Sequence, residues 1–102
     1  MPYLYILDGK TPIVELDTFK WGTWFASADR VVKRDKFRGV RVSTVFLGLD
    51  YSNTGEPPIL FETMVFGGPL DQKMSRCATW EEAEAMHEAM CDRVRSGEGG
   101  MT

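Results

Sequence analysis

The sequence predicts an α+β fold: an antiparallel sheet of hairpins with two helices, the C-terminal helix packed on the sheet. Two observations carry this. Short runs rich in β-branched and aromatic residues are punctuated by Asp8-Gly9, Arg38-Gly39 and Gly67-Gly68-Pro69. Two apolar stripes at helical spacing, each opened by a capping residue, lie in the first third and at the end of the chain. The predicted order is β, β, α, β, β, β, β, α, in which hairpins dominate.

Residues 2–8 are rich in Tyr, Leu and Ile and read as a strand, and Asp8-Gly9 is a favoured hairpin pair. Residues 11–16 return, with Pro12 suited to an edge or a strand start. Asp17 reads as a helix N-cap, with Leu16 and Trp21 spaced as a hydrophobic staple. Trp21, Trp24, Phe25 and Ala28 form one stripe of a helix over 18–28, which Gly22 weakens. Residues 30–37 and 40–49 read as strands around the Arg38-Gly39 turn. In the second, Val40, Val42, Thr44, Phe46 and Gly48 alternate with a face that is polar at its start and apolar at its end, so it is half solvated near the turn. Residues 50–58 are a loop by composition, 59–66 a strand, and 72–78 a weaker strand. The last helix starts at Thr79, with Glu82 completing a capping box. Its stripe is Trp80, Ala83, His87, Met90 and Val94, leaving Glu81, Glu84, Glu88 and Asp92 to water.

The length, 102 residues, fits one domain over 1–96 followed by a flexible tail over 97–102. Apolar residues make up 43% and aromatic residues 12%, enough for a core without disulfide or metal staples, and 26% charge is ordinary for a folded domain. The longest apolar run, 44–49, is far too short to span a membrane, and the N-terminus lacks the basic region of a signal peptide. With only Cys77 and Cys91 there is no disulfide framework, which points to a reducing cytoplasm.

Charge is distributed unevenly. Six of the 12 basic residues, Arg30, Lys33, Arg34, Lys36, Arg38 and Arg41, share one segment with a single acid, Asp35, giving it +5, while the remainder carries −8. That hairpin is the candidate interaction segment. A phosphate grip is one reading, because a two-stranded ribbon fits a major groove. Against it stand the acidic pI of about 5.1 and the lack of interleaved aromatic residues. Alternation also divides the bases between two faces, so nucleic acid is not the favoured partner. Edge protection against unwanted strand pairing is the structural alternative.

No phosphate loop, dinucleotide fingerprint or nucleophile elbow is present, and no cofactor is implied. Two residues are candidates for chemistry. Glu62 sits in an apolar strand beside Leu60, Met64 and Phe66, where burial would raise its pKa. His87, the only histidine, lies one helical turn from Cys91, which supplies two of the three or four ligands that zinc needs. Cys77 is a conceivable third from the strand before the helix. A packed core histidine and a shielded surface glutamate are the structural alternatives, and an enzyme or ligand site would require Glu62 to share a pocket with His87, or with Asp50 or Asp8. No complete catalytic or metal constellation can be assembled from spacing.

Three segments, Val42-Ser43-Thr44-Val45-Phe46-Leu47-Gly48-Leu49-Asp50, Pro58-Ile59-Leu60-Phe61-Glu62-Thr63-Met64-Val65-Phe66-Gly67-Gly68 and Ala78-Thr79-Trp80-Glu81-Glu82-Ala83-Glu84-Ala85, resemble a family of small uncharacterised proteins encoded by bacteriophages and prophages. The family has no assigned activity, so the resemblance carries over no site residue. It implies an accessory protein that binds a host or phage protein, with host inhibition or anti-defence as the role, in the host cytoplasm.

Overall fold

The computed structural model describes residues 3–52 and 57–97, so the predicted tail beyond Gly97 and part of the 50–58 loop lie outside the described residues. The elements follow the predicted order: β1 (Tyr5–Asp8), β2 (Thr11–Val14), α1 (Thr18–Ser27), β3 (Val31–Phe37), β4 (Val40–Phe46), β5 (Phe61–Phe66), β6 (Met74–Cys77) and α2 (Trp80–Arg95). The class is α+β, with every strand pair antiparallel. Among the described residues no helix is long and apolar enough to cross a membrane.

The strands form two sheets. β3, β4, β5 and β6 lie side by side in that order, while β1 and β2 make a separate hairpin. The break has a local cause at Gly48, whose φ of 77° ends the extended run of β4. Beyond it the chain turns to β1, through a Leu4–Leu49 bridge and a bond from the Tyr5 N–H to the Gly48 carbonyl at 2.9 Å. A side chain at 48 would meet the Phe25 ring at 3.0 Å, so this crossing also needs glycine.

Turn chemistry fixes the two hairpins that have two-residue loops. In the β1–β2 loop Gly9 leads, with φ 62°, as a type II′ turn requires. In the β3–β4 loop Arg38 (φ 50°) and Gly39 (φ 84°) are both left-handed, the pattern of a type I′ turn.

Asp17 caps α1 through its side chain, which accepts from the N–H groups of Phe19 and Lys20. The expected staple does not form, because Leu16 is 81% exposed. Trp21 is instead held by β1 and Gly48: its indole N–H donates to the carbonyls of Tyr5 (3.0 Å) and Gly48 (3.1 Å), and its ring stacks on Phe25. α1 packs on β1 and turns Trp24 edge-on to Phe46, sealing one end of the core.

α2 lies across one face of the four-stranded sheet and begins with the predicted capping box of Thr79 and Glu82. It buries Ala83, His87, Met90 and Cys91, while Glu81, Glu84, Glu88 and Asp92 are exposed. Trp80 and Val94, at the ends of the predicted stripe, are partly buried. The core under α2 has two apolar clusters, Val42, Val65, Met90 and Cys91 at one end, and Phe46, Leu60, Phe61 and Ala83 at the other. Between them lies a buried polar layer of Thr44, Thr63 and His87.

Candidate functional site

Strand register sorts the chemistry onto two faces. Under α2 lie the rows Asp35–Val42–Val65 and Lys33–Thr44–Thr63–Ser75. The open face carries Lys36–Arg41–Phe66, then Arg34–Ser43–Met64–Met74, then Val45–Glu62–Arg76.

The buried polar layer is a continuous relay. Thr44 and Thr63 face each other across β4 and β5, and their hydroxyls are in close hydrogen-bond contact. Thr44 Oγ1 lies 2.7 Å from His87 Nδ1, and His87 Nε2 lies 2.8 Å from Asp35 Oδ2. Both imidazole nitrogens therefore have side-chain partners although the ring is 0% exposed. The hydrogen bond from His87 is the chief cause that holds the Asp35 carboxyl below its ordinary value, and the Lys33 charge adds to it. Cys91 Sγ stands 3.9 Å from Asp35 Oδ2, and burial, aided by Asp35 and Glu88, raises its thiol to about 11. Lys33 on β3 and Glu88 on α2 form an ion pair beside this group.

Asp35, His87 and Thr44 have the residue types of a nucleophilic triad, but Thr44 and His87 are fully buried, so no substrate reaches the hydroxyl. The donor set suits an ion better. Asp35, His87 and Cys91 each bring one ligand atom, all within 4.8 Å of one another. Cys77 is not the third member: its Sγ contacts the Thr79 carbonyl at the other end of the sheet, in the cluster with Phe61 and Trp80. Sequence spacing supplied His87 and Cys91, but Asp35 is 52 residues from His87 and only the β3–α2 packing brings it in.

Glu62 and His87 do not share a pocket, because the sheet separates them. Glu62 lies on the open face, where Arg76 Nε donates to its Oε2 at 3.0 Å. The six basic candidates also part company. Arg30 lies 3.9 Å over the Phe25 ring and donates to the Phe46 carbonyl, Lys33 is neutralised by Glu88, and Arg38 occupies the turn. Arg34, Lys36 and Arg41 remain together on the open face, with Arg41 stacked 4.5 Å over Phe66. The predicted division of the basic residues is thus real but unequal, since the base on the helix side is paired with an acid.

A second exposed feature lies where β2 meets α1, with Phe19 on the side of the helix opposite the Trp21, Trp24 and Phe25 stripe. Leu16 and Phe19, at 81% and 82% exposed, project beside Ile13 and Val14.

Comparison with protein-family models, curated proteins and solved structures gives no match.

Proposed function

We propose that this chain acts by binding another protein through the open face of its four-stranded sheet, and that the partner presents an acidic surface carrying apolar side chains. One observation carries the reading. Lys36 and Arg41 are directly opposed across β3 and β4, with Arg34 beside them, and none of the three has an acidic partner among the described residues. Like charges placed opposite each other destabilise a sheet, and an anionic surface laid over them relieves that cost. The partly exposed Phe66, Met64 and Met74 in the same rows add adaptable apolar contact, a chemistry that fits a protein better than a phosphate backbone. The resemblance to small phage-encoded proteins supports a host protein as that partner and inhibition as the outcome.

Fluorescence anisotropy with a labelled peptide of alternating Glu and Leu tests this, with a single-stranded oligothymidylate as the competing class. The expected result is saturable, salt-sensitive peptide binding that Arg41→Glu or Lys36→Glu weakens at least about tenfold, roughly 1.4 kcal/mol. Oligothymidylate is expected to bind weakly at physiological salt. Submicromolar oligothymidylate binding lost in Arg34→Glu and Lys36→Glu would replace this reading with nucleic acid. Self-association at low salt, with the acidic face of α2 in a second copy filling the basic face, would replace it with a homomeric contact. Binding of neither probe would overturn it.

A further inference from the structure

We propose that Asp35, His87 and Cys91 form a binding site for a thiophilic divalent cation, with zinc as the best fit. The site is independent of the open sheet face, since it lies on the α2 side of the sheet.

His87 and Cys91 are four residues apart on α2, so successive turns carry them on the same side of the helix, and both are fully buried. β3 supplies the third donor, Asp35, through its register with Val42. The present separations are 2.8 Å for Nε2 to Oδ2 and 3.9 Å for Sγ to Oδ2, with every pair inside 4.8 Å. Zinc bonds of about 2.0–2.3 Å in tetrahedral geometry place ligand atoms roughly 3.3–3.7 Å apart. The triangle therefore closes around an ion with shifts of less than about 1 Å, within the reach of side-chain rotation. Nitrogen, sulfur and carboxylate oxygen are the ligand types that zinc accepts, and the thiolate disfavours magnesium and calcium.

The polar layer supports the same assignment. A metal-bound imidazole needs its other nitrogen held by a hydrogen-bond partner. Thr44 occupies that position, and its neighbour Thr63 makes the partner reversible. With no ion and a neutral ring, Nε2–H donates to Asp35, the Thr44 hydroxyl donates to Nδ1, and the Thr63 hydroxyl donates to Thr44. With the ion bound, the Nε2 lone pair is given to the metal and the ring proton sits on Nδ1, which donates to Thr44. Thr44 then donates to Thr63. The ring keeps one proton throughout, and the Cys91 thiol releases one to solvent. The carboxylate and the thiolate together cancel the charge of the dication, and the Lys33–Glu88 pair beside them is itself neutral. Asp35 is the one solvent-exposed member, at 36%, so the fourth coordination position falls on its side, where water supplies it.

Titration of the reduced protein with cobalt(II), followed by displacement with zinc, tests the site. The expected result is one-to-one saturation with tetrahedral d–d bands and a thiolate-to-cobalt charge-transfer band, both abolished by zinc. Cys91→Ser should lose the charge-transfer band and weaken cobalt at least tenfold, while Cys77→Ser should retain both. In case a substitution disturbs folding, the unaltered protein provides a second reading. Amide shifts caused by zinc should centre on residues 35, 87 and 91. No saturable band, a band that survives Cys91→Ser, or shifts confined to the acidic start of α2 would each overturn the assignment.

Discussion

Among single residues, Thr44, Thr63 and His87 keep one another's buried polar groups satisfied, with Asp35 closing the relay. Thr44→Val strands Nδ1 of His87 without a partner inside the core. The expected cost is about 1–3 kcal/mol, measurable by urea unfolding. The double variant Thr44→Val, Thr63→Val should cost less than the sum of the two single changes, because it removes both ends of one bond. Asp50 shows the opposite use of a carboxylate. Burial works against its ionisation, yet the N–H groups of Ser52 (2.8 Å) and Ile59 (2.9 Å) donate to Oδ1 and hold it below the ordinary 3.8. A carboxyl depressed on folding adds stability that is complete above 3.8 and is lost as the pH falls through its lower folded value. Asp50→Asn should therefore lower stability at neutral pH and flatten its decline below about pH 4, as followed by circular dichroism at a series of pH values.

Among elements, two glycines separate necessity from tolerance. Gly68 has φ 70°, and a Cβ there would lie 2.7 Å from Val40 Cγ2, so the β5–β6 connection is seated against β4. Gly68→Ala should cost about 1–2 kcal/mol from the backbone conformation alone, and more from the contact. Gly22, inside α1, should give the reverse. A Cβ added there meets nothing within 4 Å, so Gly22→Ala should raise stability by roughly 0.5–1 kcal/mol. Trp80 anchors the start of α2 edge-on to Phe61 at 6.1 Å, but its indole N–H is buried without a partner among the described residues. Trp80→Ala should cost about 3 kcal/mol, and Trp80→Phe distinctly less, because phenylalanine keeps much of the packing and removes the stranded donor. Thermal unfolding of the four variants ranks them directly.

Across the whole molecule, charge and shape are both uneven. The dimensions are 51 × 29 × 20 Å, and the radius of gyration of 14.8 Å exceeds the ~13 Å of a compact domain of this length. The β1–β2 hairpin and α1 lie beside the four-stranded sheet rather than within it, and touch its core through Tyr5, Leu7 and Trp24. Across that sheet, the acids on the outer side of α2 oppose the Arg34, Lys36 and Arg41 face. Lys36→Glu should stabilise the protein by up to about 1 kcal/mol, by replacing a repulsive cross-strand pair with an attractive one. Added salt should stabilise the unaltered protein more than this variant, because only the former has that repulsion to screen. A gain in stability together with a loss of peptide binding would mark the basic face as kept for a partner.

Element order, caps and turns follow from the amino-acid sequence alone, because each is settled within a few residues. Asp17 and the Thr79–Glu82 box start helices, and Arg38-Gly39 takes the left-handed conformations that a tight hairpin needs. The α2 stripe was legible for the same reason, since helical periodicity places Ala83, His87 and Met90 on one side wherever the helix packs. The remaining features arise only when the elements pack. The Leu16–Trp21 staple fits its spacing but gives way to bonds from Trp21 to distant carbonyls. Glu62 and His87 are separated because a sheet has two faces and strand register assigns them to opposite ones. Asp35 joins His87, 52 residues away, and Cys91 through the packing of α2 on β3. Such contacts depend on which strands lie side by side and where α2 crosses them, and short-range patterns hold no record of either.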